Sequence, residues 1–187
     1  MSVAAKSSEL GLTPGIWSID PMHSTVEVIV RHMVVSKVRG RFNEFSGTIN
    51  VAESVEDSTV EATIKAASIF TAQEMRDNHL RSADFLDAEQ FPEITFQSTA
   101  ITAGASSYNM VGDLTIHGVT KSIELNLEFN GVDAHPQGGH RAGFSATGAI
   151  SRKDFGMEWN AVLESGGVMV SDKVNIELEI QAASPQA

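Results

Sequence analysis

Cysteine is missing altogether from the 187 residues, which removes disulfide staples, thiol nucleophiles, thiolate zinc sites and iron–sulfur clusters. A chain of this length buries enough apolar surface to fold without staples, and a cysteine-free composition suits a reducing compartment. Basic side chains are scarce: 13 Lys and Arg stand against 24 Asp and Glu, a formal net charge of −11. That balance argues against gripping nucleic-acid phosphates and against strong attraction to anionic membrane surfaces. Solubility is its simplest consequence. Long apolar runs are lacking as well. No stretch approaches the roughly 18 consecutive apolar residues that cross a bilayer as a helix, and residues 1–10 lack the apolar core of a secretory signal. The reading is therefore a flexible leader over 1–13, one domain over 14–182, a tail over 183–187 and a cytoplasmic location.

Chemistry-bearing motifs are equally sparse. Neither GxGxxG nor GxxxxGK[ST] occurs, so no phosphate cradle is predicted, and there is no GxSxG elbow or HExxH metal helix. Of the six histidines, His135 and His140 flank the Gly-rich turn Pro136–Gly139. They lack a third nearby ligand, so a surface turn is the better reading and no metal or cofactor is expected. Asp20, His23 and Ser24 hold the residue types of a nucleophilic triad. Their spacing fits a polar turn, in which Asp and Ser bond local backbone, better than a catalytic geometry. Glu56 and Asp57 read as solvated turn carboxylates.

What the chain does have is alternation with period two. Thr25–Arg31 places Val26, Val28 and Val30 on one face; Thr59–Lys65 does the same with Val60, Ala62 and Ile64. Ser122–Phe129 repeats it with Ile123, Leu125, Leu127 and Phe129, and Lys173–Ile180 with Val174, Ile176, Leu178 and Ile180. Such runs predict antiparallel strands with one wet face. Weaker strands are predicted over 16–20, 40–51, 94–101, 108–116 and 142–150, with Asn130-Gly131 and Pro136–His140 as breakers. Eight or nine sequential strands form a meander, and closing it into a barrel removes exposed edges. One helix interrupts the series. Thr71-Ala-Gln-Glu74 has the pattern of a capping box, so a helix is expected over about 72–81, with Asp77 and Arg81 paired on its surface and Met75, His79, Leu80 and Phe85 facing inward. Gly15-Ile-Trp17 resembles the start of lipocalin-like barrels, with Trp17 a core aromatic near one end. The segment Ser151–Ser171 is long for a hairpin, and such loops are often functional.

Several ordered stretches carry a resemblance. They are Trp17–Ser24, Val38–Gly47, Ser68–Thr71, Arg76–Asp87, Phe91–Ser98, Gly112–Lys121 and Ser151–Gly156. Together the chain resembles the YceI-like family of polyisoprenoid-binding proteins. The resemblance implies an all-β fold: an extended, lipocalin-like barrel of eight antiparallel strands with one short helix. It also implies non-enzymatic binding, storage or transport of a long-chain isoprenoid, a quinone or another amphiphilic lipid, and makes a homodimer reasonable. Residues suited to the wall of such a barrel are Val28, Val30, Phe42, Phe45, Phe70, Phe85, Phe96, Leu114, Ile116, Leu125, Leu127 and Phe144. Small inward residues, Ala62, Ala146 and Gly148, would leave room for a ligand. Arg76, His79 and Arg152 suit a polar headgroup, Arg76 and His79 serving equally as ordinary helix-surface residues. The same apolar set would also fill a solid core. Two other functions stay open: an enzyme acting on a lipid-like substrate with His23, His32, His79 or His117 as acid or base, and an interaction protein using a barrel face.

Overall fold

The computed structural model describes residues 5–185. The strands are β1 (Gly15–Ile19), β2 (Thr25–His32), β3 (Ser36–Phe42), β4 (Phe45–Val51), β5 (Thr59–Lys65), β6 (Ile69–Phe70), β7 (Glu93–Ala103), β8 (Tyr108–Ile116), β9 (Val119–Ala134), β10 (His140–Ser151) and β11 (Val170–Ala183). They pair antiparallel in the ring β1-β4-β5-β7-β8-β9-β10-β11, which the β11–β1 pairing closes into an eight-stranded barrel. β2, β3 and β6 continue β1, β4 and β5 after bends, so three staves of the barrel are each made of two pieces; β2 pairs with β11, β3 with β2, and β6 with β3. The strongly alternating runs all form strands, because a polar-out, apolar-in period of two satisfies both faces at once.

The sheet splits beyond β5. β6 has no ladder to β7, and helix α1 (Glu74–Arg81) with the segment that follows fills the gap, burying Phe85 and Leu86. Capping departs from expectation. Gln73, not Thr71, is the N-cap, its side chain accepting from the Arg76 N–H. Thr71 instead donates both its N–H and its hydroxyl to buried Asp77. The predicted Asp77–Arg81 pair does not form, for that reason and because Arg81 turns to the carbonyls of Ala67 and Ile69, at 2.7 and 3.0 Å.

Two further expectations change. Asn130-Gly131 does not end its strand: β9 runs through it with a bulge, the extra residue lying opposite the Gly143–Phe144 step of β10. Residues 5–13 are not a free leader. A 3-10 turn (Ser7–Leu10) and the bridge from Lys6 to Ser54 lay them across one barrel end, where Leu12 packs with Trp17, Ile49, Val51, Ala142 and Ala182. Trp17 is 1% exposed there and donates its indole N–H to the Thr13 carbonyl at 2.9 Å. The first four residues of the expected leader, and the last two of the expected tail, lie outside the described residues.

Candidate functional site

The barrel is hollow. A cavity of about 760 Å³ runs along its axis, within the range of small-molecule sites. Its walls are the inward positions of the alternating strands, among them Val26, Val28 and Val30 on β2 and Ile176, Leu178 and Ile180 on β11. Its floor is Leu12 and Val51 beside the Trp17 cluster. The four exposed lining residues, Arg31, Gln73, Met75 and Arg76, all stand at the opposite end. That end is the mouth, framed by the β2–β3 turn, α1 and the loop after β10.

Fourteen of the fifteen wall and headgroup residues expected from sequence line this space: Val28, Val30, Phe42, Phe45, Arg76, His79, Phe85, Phe96, Leu114, Ile116, Leu125, Leu127, Phe144 and Arg152. Phe70 does not. On the two-residue strand β6 the inward position belongs to Ile69, and Phe70 lies outside beneath the Arg41 guanidinium, 5.1 Å away. Ala62 and Ala146 do leave room on the wall. Gly148 does not, because the Leu125 side chain occupies the space its Cβ would take, at 2.6 Å.

Ionisable side chains are confined to the mouth, and deeper in the cavity the polar lining side chains are Ser7 and Ser58. Among the described residues no carboxylate lines the cavity, and the ionisable lining residues are Arg31, His32, Arg76, His79 and Arg152. His79 holds the Asp84 carboxylate through Nε2 at 2.8 Å and meets Trp159 and Phe85 edge-on, ring centroids 4.6 and 5.0 Å away. Arg76 is tied back to Thr71 through two bonds of 2.7 and 2.9 Å. Arg152 is buried at 3% exposure and donates to the carbonyls of Ser171 at 3.0 Å and Met157 at 2.6 Å. No carboxylate among the described residues stands within ion-pair distance of it. Burial draws its pKa below that of a free guanidinium, the nearby Asp172 charge opposing, and it stays charged at neutral pH. Asp172 is pushed up by burial, but hydrogen bonds from the Ser151 hydroxyl and the Lys153 N–H, with the Lys153 and Arg152 charges, hold it below the ordinary carboxylate value.

Sequence reading missed Trp159, Met157, Met169 and Leu12, all of which line the cavity. None sits in a periodic run, and Trp159 stands in a segment whose apolar residues follow no strand or helix period. The triad residues stay apart: Asp20 bonds His23 at 2.8 Å, but Ser24 exchanges hydrogen bonds with the Gln181 backbone of β11.

Residues 17–182 match the YceI-like domain. A UPF0312 protein of Staphylococcus aureus (strain N315) is 40% identical over 165 residues, 86% of this chain and 93% of that relative. The crystal structure of the Campylobacter jejuni YCEI protein superposes with a TM-score of 0.72 at 33% identity, covering 83% of this chain and 90% of its own. A polyisoprenoid binding domain from Saccharophagus degradans shares the fold, with a TM-score of 0.65 at 16% identity over 90% of this chain and 98% of its own.

Proposed function

Because the chain belongs to the YceI-like domain family, we propose that its barrel binds a long-chain isoprenoid or similar amphiphile, tail inward and polar head at the mouth, to store or carry it. One observation carries the reading: an apolar cavity lined at its mouth by three arginines and, among the described residues, by no carboxylate, on a chain of net charge −11. An apolar tail gains about 0.8 kcal/mol for each CH2 taken out of water. Ten such carbons supply about 8 kcal/mol, enough for micromolar binding before the cost of ordering the chain. A head that accepts hydrogen bonds or carries negative charge would answer Arg152 and Arg76. The similarity to a domain described as polyisoprenoid-binding supports the tail chemistry. We place this work in the cytoplasm, which cell fractionation tests.

Organic-solvent extraction of the purified protein followed by mass spectrometry tests the ligand. A long-chain amphiphile in near-stoichiometric amount is expected. Ala146→Phe, which drives a ring from β10 into the cavity, should lower that amount at least about tenfold while leaving strand content unchanged. An empty wild-type barrel, closed in a crystal, overturns the reading. His79 in the pocket wall, held from outside the lining by Asp84, favours a second one, chemistry on the bound lipid. A His79→Ala variant that leaves any observed turnover intact removes it.

A further inference from the structure

Nine large apolar side chains are conspicuously exposed among the described residues, and six of them gather at the cavity mouth: Met33, Val34, Val35, Met75, Val162 and Val168. The first three form the β2–β3 turn. Val162 and Val168 face each other across a small hairpin in the loop after β10, and the Met33 N–H joins that hairpin by bonding the Met169 carbonyl at 2.9 Å. The turn breaks local rules as well as solvation rules. Met33 and Val34 sit at φ +51° and +65°, a region that costs any L-residue and a β-branched one most. Directly behind the turn, Arg31 on β2 stands opposite Lys37 on β3, a like-charge cross-strand pair that weakens a hairpin in water. Neither has an ion-pair partner among the described residues. From Val28 to Asn43 the sequence holds Arg31, Lys37, Arg39 and Arg41 and no Asp or Glu, on a chain where acids predominate.

Strain, exposed apolar surface and unpaired positive charge at one tip are costs in water that one environment relieves together. We propose that the mouth rim docks on an anionic lipid bilayer, the 33–35 turn and the 161–169 hairpin inserting among the acyl chains while Arg31 and Lys37 contact headgroup phosphates. The apolar rim is continuous with the cavity wall through Met169, Val170 and Trp159, so a lipid could pass between bilayer and barrel without crossing water. Glu158 and Glu164 lie in the same loop and oppose the attraction. Apolar insertion therefore supplies the anchor, and the two cations set the preference for anionic lipid. Glu74 on α1 and Asp172 at the start of β11 add to that opposition, and charges farther than about 10 Å from the membrane are screened at moderate salt. The proposal rests on the lipid-binding reading for its purpose but not for its geometry.

Flotation of the full chain with vesicles of phosphatidylcholine mixed with phosphatidylglycerol, and of phosphatidylcholine alone, tests it at low and high salt. The wild type should float with the mixed vesicles. Met33→Ser, Val34→Asn and Val35→Ser combined should reduce partitioning about tenfold or more. Asn tolerates the left-handed backbone better than Val, so this variant should keep its fold by circular dichroism. Arg31→Gln and Lys37→Gln should each cost about fivefold at low salt, with little effect at high salt. A wild type that does not float, or floats as well with the turn substituted, overturns the proposal. A dimer by sedimentation that the same turn variant converts to a monomer also overturns it, by giving the surface to a second copy of this chain. Lipid extraction reads out separately, so a protein that carries lipid but ignores vesicles fails here alone.

Discussion

At the scale of single residues, the cavity wall is shaped as much by side chains that are absent as by those present. A Cβ on Gly112 would come within 2.3 Å of the Phe96 ring and 2.7 Å of the Gln97 carbonyl oxygen. The first clash a ring can evade; the second is with backbone of the neighbouring strand and it cannot. Gly112 is what lets Phe96 lie flat on the wall instead of standing into the cavity. Gly112→Ala should therefore lower stability by about 1–3 kcal/mol, seen as an earlier urea midpoint with an unchanged slope, and should reduce the extracted lipid. Alternation within a strand predicts which side chains point inward, but not which of them has room to lie down. That is why Gly148 reads from sequence as vacant space although Leu125 fills it. Phe70 failed for a related reason: on a two-residue strand, one step of phase decides the face, and Ile69 took the inside.

At the scale of elements, long runs were legible and joints were not. β2, β5, β9 and β11 follow from alternation because each buries one face along most of its length. The bends that divide β1 from β2, β3 from β4 and β5 from β6 leave no period to read, and the bulge at Asn130 hides behind a dipeptide that elsewhere makes turns. The stretch at 5–13 is the costliest omission, since it is polar enough to look like a leader yet places Leu12 at 5% exposure under the barrel. If it is a floor and not a passing segment, Leu12→Ala should cost about 2–5 kcal/mol, as for any well-packed core leucine. Thermal unfolding checks this, and a loss below about 0.5 kcal/mol, the range of a surface substitution, would return 5–13 to the role of a leader. The mouth loop was flagged by its length alone. Its contribution, Trp159 against His79 and Phe85, needs three segments to meet and no one of them announces it.

At the scale of the whole molecule, the question is how a barrel this hollow stays folded. Unfilled apolar volume forfeits packing contacts, and a cavity of about 760 Å³ leaves much of the wall without them. A domain of this kind has about 5–15 kcal/mol of net stability, so an occupant that restored those contacts would raise it appreciably. Water is a poor remedy, because the cavity offers it polar partners at the mouth and almost none deeper. A lipid of the proposed kind, binding the folded chain alone, would add RT ln(1 + [L]/Kd), about 4 kcal/mol at a thousandfold excess over Kd. Stripping the lipid should accordingly lower Tm by on the order of 10 °C for a chain of this size. The far-ultraviolet strand signal should survive, since the ladders of the ring do not depend on the ligand. Adding back the extracted lipid, and not a short-chain detergent, should restore the transition. A delipidated protein that melts where the loaded one does would mean that the walls close inward on their own, and that the cavity is conformational slack and not a binding site.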